Sequence, residues 1–262
     1  MPALRTVTAT RYVTPLREGG SLPAIVEADD DGLYVLKFRG AGQGPKALIA
    51  ELVAGEIGRA LDLLVPEIVL MEVDPAMGRA EPDSEIQALL KASTGLNLGL
   101  DYLPGSLTFD PVPAPPIDPR LASTIVWFDA YVTNVDRTAR NTNMLIWHKR
   151  LWLIDHGAAL YFHHTWADYR ARSRTAFPAI KNHVLLPYAS ELEAVDAHLR
   201  ARLTPAGIEA IVAAIPDAWL DHQSIFASRA EHRAAYVTYL LDRLAGAAVF
   251  VEEARHARAQ RV

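Results

Sequence analysis

Residues 134–157 read NVDRTARNTNMLIWHKRLWLIDHG. Two short apolar runs, MLIWH and LWLID, flank Lys149-Arg150, which reads as a two-residue turn between antiparallel strands over 144–147 and 151–154. Such a hairpin sets Asn143 beside Asp155 and returns Asp155 to the loop that carries Asp136 and Asn141. Two carboxylates and an amide gathered at one hairpin end suit phosphoryl transfer. One carboxylate orients and deprotonates a hydroxyl, while an amide and a second carboxylate hold Mg²⁺ on nucleotide phosphates. Asp-x4-Asn alone is a weak signal; followed by a hairpin and Asp-x-Gly it is far more specific. Taken singly, Asp136, Asn141 and Asp155 also suit turns.

Working outward, the N-terminal side supplies what that chemistry requires. RTVTATRYV alternates and is β-branched, and AIVEADDDGLYVLKF reads as two strands joined by a turn. Lys37 lies on the third strand. Between the first two strands, REGGSLP offers the backbone N–H groups of Gly19 and Gly20 to phosphates. After the glycine-rich GAGQGP, KALIAELVAGEIGRALDL has helical spacing and places both Glu51 and Glu56 within reach of a lysine partner. VPEIVLMEVD is a strand, PDSEIQALLKAS a short helix, and GLNLGLDYLPGS an extended segment ending at Pro104-Gly105. Five features thus follow in the chain order that phosphoryl transfer needs.

FDPVPAPPIDP holds five prolines, a stiff connector. Beyond it RLASTIVWFDAYVTNV is an apolar helix, and ASELEAVDAHLRARL, PAGIEAIVAAI and a long run over about 228–258 are also helical. The expected organisation is an N-lobe over 1–105, a connector over 106–117 and a helical C-lobe over 118–262.

Composition sets outer limits. The chain has 262 residues, is half hydrophobic and carries a net charge of −5. That is ample for a packed core and gives no basic footprint for nucleic acid. It contains no cysteine, which excludes disulfides and thiolate chemistry and fits a cytoplasmic location. No long uncharged apolar run suggests a membrane span. His148, His156, His163 and His164 offer imidazoles for a metal hydrolase but lack a ligand-type spacing, and His163 and His164 are expected on a mobile loop near substrate. Trp166 and the basic run Arg170, Arg172, Arg174 are candidates for a partner surface beside their plainer readings as core filler and solvated face.

YVLKF, AELVAGEIGRALDLLVPE, GLNLGLDYLPG, DRTARN and LWLIDHG, over roughly residues 10–160, resemble the HipA-like kinases. The resemblance implies an α+β, two-lobed protein-kinase-like fold: a β-rich N-lobe with one helix, and a mainly helical C-lobe carrying the catalytic hairpin. It implies Mg²⁺ and ATP as cofactors and transfer to a serine or threonine. Lys37 would contact the α- and β-phosphates, Glu51 rather than Glu56 would pair with it, and Asp136 would be the base. Asn141 and Asp155 would bind Mg²⁺, and Tyr102 and Leu103 would lie near adenine. The departures are specific. Asn134-Val135 precedes Asp136 where familiar kinases have His-Arg, His156 replaces the phenylalanine of Asp-Phe-Gly, and neither a G-x-G-x-x-G nor an Ala-Pro-Glu occurs. These departures motivate two alternatives: a pseudokinase that binds nucleotide, and a kinase for a small-molecule hydroxyl. HipA toxins also carry an extra N-terminal region and act with a DNA-binding antitoxin. Little of this chain is left over for such a region, so an antitoxin partner is not expected.

Overall fold

Alternation over residues 6–15 and 24–37 becomes a closed sheet. A computed structural model of the protein describes residues 4–16, 22–80, 82–111, 117–220 and 225–261. Gly19, Gly20 and the centre of the proline-rich connector therefore lie outside the described residues. Strands β1 (Thr6–Pro15), β2 (Ala24–Ala28) and β3 (Leu33–Lys37) form a meander. Two further strands, β4 (Ile68–Val73) and β5 (Gly95–Asp101), complete the order β1-β2-β3-β5-β4. β4 closes the barrel by pairing parallel to β1, Thr6 opposite Leu70. Inward-facing Val7, Val26, Leu36, Val69 and Met71 fill it, and Ile86 and Leu90 of α2 (Ser84–Ala92) pack on the same cluster. The β-rich part thus has two α-helices, as the segment-by-segment reading expects and against the one helix that the family resemblance implies; Asp83 caps α2 by accepting from the Glu85 N–H.

α1 (Pro45–Ala60) is the hinge of the architecture. Every residue from Leu48 to Gly58 is buried. A helix that is apolar on all sides must be covered on all sides. β4 and β5 cover one flank, while α6 (Pro205–Ala213) and α7 (Asp217–Leu220) cover another. Its residues share one hydrophobic cluster with α3 (Pro119–Tyr131), α5 (Leu192–Arg202), α8 (Arg229–Ala245) and α9 (Ala247–Ala259). The long C-terminal helical run is two helices, not one: it breaks at Gly246 with a bend of 61°. Among the described residues no single helix is long and apolar enough to cross a membrane.

The hairpin β7 (Met144–Trp147) and β8 (Arg150–Leu153) forms as expected, with one correction of register. Met144 pairs with Leu153 and Trp147 with Arg150, so the turn is His148-Lys149, both at positive φ (48° and 61°). That is the backbone of a mirror-type two-residue turn, whose twist matches the strands. Asn143 consequently faces Ile154, whose N–H it accepts at 3.0 Å, and Asp155 lies one residue beyond. A third strand, β6 (Leu107–Thr108), joins the sheet through β7.

Candidate active site

The loop after α3 rests on a buried ionic hub. Asp129 and Arg137 are both 0% exposed, with Arg137 Nε 2.6 Å from Asp129 Oδ2. Arg137 Nη1 also donates to the Asn143 carbonyl and, at 3.5 Å, to that of Ile154, the two residues that start and end the hairpin. His183 Nε2 lies 2.8 Å from the same Asp129 oxygen, and its Nδ1 accepts the Leu185 N–H at 3.0 Å. Those bonds place the ring proton on Nε2 of a neutral imidazole; burial pulls its pKa down against Asp129. Burial opposes the Asp129 charge as well, but Arg137 and His183 outweigh it and hold the carboxyl below the ordinary range. Asn134 completes the hub, donating to Asp129 Oδ1 at 2.9 Å and accepting the Asp136 N–H at 3.1 Å.

Asp136 projects from this platform, half-buried. Its Oδ2 accepts from Asn141 Nδ2 at 2.8 Å and lies 3.5 Å from Asn143 Nδ2. Burial raises its pKa; the two amides work against that, and the charge on Asp155 adds to it. The site thus pairs a carboxylate of raised basicity with a second carboxylate close enough to influence it.

Lys37 joins the barrel to the hairpin. Its side chain is 11% exposed, with Nζ 2.7 Å from Asp155 Oδ1 and 3.6 Å from Glu51 Oε2. Burial works against the ammonium, but the two carboxylates raise its pKa overall. Glu51 Oε1 accepts the His156 N–H at 3.0 Å and lies 3.3 Å from His156 Nδ1. Burial pushes Glu51 up, yet Lys37 and His156 hold it at about 2. Glu56 does not reach Lys37: it lies 3.5 Å from Arg59 on its own helix, and burial raises its pKa. Asp155 itself adopts φ 54°, a left-handed conformation that Asp tolerates better than most residues.

The remaining expectations distribute as follows. Tyr102 and Leu103 follow β5 at the exit from the barrel; the Tyr102 N–H donates to Leu33 O, and Leu103 is buried. Trp166 is core, at 7% exposure against Phe162, Phe226 and Tyr236, and not a partner surface. His163 is buried and bonded to the Tyr236 hydroxyl at 3.0 Å, not on a mobile loop, because residues 161–164 form a 3₁₀ turn packed under α8. Among the described residues no group of histidines and carboxylates converges as a metal-ligand cluster. Arg170, on the short helix α4 (Tyr169–Arg172), and Arg174 face Asp242, and Arg172 donates to the Thr165 carbonyl. The hub residues Asp129, Arg137 and His183 were not anticipated. The signal was present in WFDAYV, where a lone carboxylate in an apolar helix demands a buried partner.

Asp155 keeps its second carboxylate oxygen, and its side chain is 44% exposed. Asn141 uses its amide nitrogen on Asp136, leaving its carbonyl oxygen to accept. This all-oxygen donor set suits a hard divalent cation such as Mg²⁺, which is held by one or two protein groups together with substrate phosphates.

The HipA-like kinase family model matches residues 10–252. The Helicobacter pylori proinflammatory kinase CtkA superposes with a TM-score of 0.59 at 14% identity, over 98% of this chain and 99% of that one. A Golgi casein kinase structure with Mn/ADP bound gives 0.50 at 11% identity, over 100% of this chain and 76% of that one. At such identities the likeness speaks for the fold, which is kinase-like. No curated protein matches in sequence. With a lysine, a helix glutamate, a loop carboxylate and a post-hairpin Asp-His-Gly in place, and a family match spanning nearly the whole sequence, the chain belongs to the HipA-like kinases.

Proposed function

We propose that this chain transfers a phosphoryl group from Mg²⁺-ATP to a hydroxyl, with serine or threonine on a protein as acceptor. The observation that carries the reading is the Lys37–Asp155–Glu51 cluster beside an Asp136 of raised pKa. Asp136 orients the acceptor hydroxyl and takes its proton as the new O–P bond forms, and Asn141 fixes the carboxylate for that task. Lys37, steadied by Glu51, supplies a buried cation whose remaining N–H groups can meet phosphate oxygens. His156 locks Glu51 from the opposite side, so the helix α1 and the end of the hairpin are set together. Mg²⁺, when held by Asn141 and Asp155, would neutralise charge on the transferring phosphates. Tyr102 and Leu103 would border adenine, in the cleft between a β-rich and a helical lobe. Most of the rate on this reading comes from positioning and fixed charge.

The test is ADP release and intact mass with Mg²⁺-ATP and a serine/threonine peptide library, for wild type, Asp136→Asn and Asp155→Ala. Wild type should turn over. Asp136→Asn should lose at least 100-fold in rate, within the range of general-base losses, while retaining nucleotide binding. Unchanged turnover in Asp136→Asn, or nucleotide binding by wild type with no product from any hydroxyl acceptor, would overturn the assignment.

A further inference from the structure

The glycine-rich run GAGQGP, residues 40–45, contributes no side chain to the Lys37–Glu51–Asp155 cluster or to Asp136. It is pinned from behind, where the Arg39 N–H donates to Asn97 Oδ1 at 2.7 Å and the Gly40 N–H to Ser93 Oγ at 3.0 Å. Gly42 and Gly44 sit at φ 51° and 65°, and a Cβ at Gly42 would meet nothing within 4 Å. These glycines therefore serve backbone conformation rather than packing. The run delivers the start of α1, which has Pro45 at its head, no side-chain cap and no acidic residue in its first turn.

Against that start lies a cavity of about 280 Å³, lined by Gln43 and Lys46 on one side and by His164, His232 and Tyr236 on the other. Among the described residues no carboxylate lines it. Lys46 Nζ reaches only the His164 carbonyl, at 3.5 Å, and among the described residues it forms no ion pair. His232 is 2% exposed, and among the described residues neither of its ring nitrogens completes a hydrogen bond. The Leu220 backbone faces the ring and works against the burial that lowers its pKa. Its ring is stacked between Phe226 (4.4 Å) and Tyr236 (5.3 Å), which fixes the direction of its nitrogens. Behind Tyr236, His163 bonds to the hydroxyl through Nδ1 while its Nε2 is also buried and unpartnered. A buried imidazole with idle nitrogens in a cavity is costly to keep unless a ligand uses it.

We propose that this cavity is a phosphate-binding site, separate from the Asp136–Asp155 centre, in which a phosphoryl group is held by the Lys46 side chain and backbone N–H and by His232. An uncapped helix start with a cation beside it selects an anion. A lysine in the wall and the lack of convergent ligands argue against a metal. Burial lowers the pKa of Lys46, and burial followed by the Lys46 charge lowers that of His164. His232 is lowered to about 4, again chiefly by burial. Lys46 is thus the cation without a counter-charge among the described residues, and His232 and His164 are neutral imidazoles, each able to donate one ring N–H to an anion. The site joins the helix that carries Glu51 to α8 and the turn at residues 161–164. Its occupancy therefore ties the barrel side of the molecule to the helical side.

The phosphoryl group has two chemical sources, a phosphate compound from solution or a phosphorylated side chain of this same protein; Thr165, exposed beside His164, is one such hydroxyl. The experiment is titration of phosphatase-treated protein with inorganic phosphate by calorimetry, without nucleotide and against chloride at constant ionic strength. Saturable one-to-one binding is expected, weakened at least tenfold by Lys46→Met and by Gln43→Glu, which places a carboxylate at the exposed rim without disturbing the core. Absence of saturable binding, or equal affinity in wild type and both variants, overturns the site. A second arm incubates the protein with Mg²⁺-ATP first. A gain of phosphoryl mass that abolishes phosphate uptake assigns the source to the chain itself; retained uptake assigns it to solution. Because the first arm uses no nucleotide, its result stands apart from whether the chain is an active kinase.

Discussion

Replacing Arg137 by methionine tests the hub beneath Asp136. The perturbation leaves Asp129 at 0% exposure with only two neutral donors, His183 Nε2 at 2.8 Å and Asn134 Nδ2 at 2.9 Å. Removing one partner of a buried ion pair costs about 3–5 kcal/mol, because the other charge stays behind without compensation. The two retained hydrogen bonds put the expectation toward the lower end, about 3 kcal/mol. Against a total stability on the order of 5–15 kcal/mol this is a large loss. Urea unfolding followed by tryptophan fluorescence would measure it. Asp129→Asn/Arg137→Met removes both charges, so the double variant should lose at least about 1.5 kcal/mol less than the two single losses summed.

The same variant carries a pH signature. In wild type the Asp129 carboxyl is depressed, so its contribution is fully present above the unfolded-state value near 3.9 and fades as pH falls below it. Without Arg137, burial dominates and raises the carboxyl above its unfolded value. Protonation then stabilises the variant as pH falls. The gap between wild type and Arg137→Met should therefore narrow between pH 7 and pH 5. A loss below about 1 kcal/mol, strict additivity in the double variant, or a gap that does not change with pH would refute the reasoning.

Two further outcomes concern the transfer centre. In Glu51→Gln the amide oxygen can still accept the His156 N–H, but Lys37 loses one of its two counter-charges, so nucleotide affinity should fall about tenfold, or about 1.4 kcal/mol, by calorimetry. Wild-type Glu51, lowered from 4.5 to about 2, also contributes stability that is present above pH 4.5 and lost as pH falls toward 2; the glutamine variant should lack that slope in acid unfolding. The Asp136 carboxyl, raised by burial and by Asp155, should give transfer an acid limb above the pH of an ordinary aspartate, about 3.9; a rate that stays level down to pH 4 would contradict it.

What the sequence disclosed was local. The alternation in β1 to β3, the apolar pair MLIW and LWL, and the carboxylates at the hairpin end depend on neighbours within a few residues, and those elements formed. Features that hang on a distant contact or a single backbone angle are not legible in this way. His148 and Lys149 carry no glycine or asparagine to announce positive φ, so the sequence points to a turn one residue later than the structure has it. Parallel pairing of β1 with β4 links residues some sixty apart, and a strand's own pattern does not say which strand lies beside it. Gly246 lay inside an otherwise continuous helical pattern, and glycine costs a helix little enough that the pattern alone did not end it.

The choice between Glu51 and Glu56 shows how a local signal could have decided a distant contact. Five residues of helix turn by about 500°, which separates the two carboxylates by about 140°, so only one of them can face β3. Gly55 lies four residues after Glu51, about 40° away and therefore on the same face. A Cβ at Gly55 would stand 2.6 Å from Ile68 Cδ1, so this is the face that α1 presses onto the barrel. The absent side chain lets the helix approach β4, and one turn earlier the same close face carries Glu51 to within 3.6 Å of Lys37. Glu56 is rolled away toward Arg59. The glycine in AELVAGEIG thus marks the contact face, and with it the glutamate that reaches the lysine.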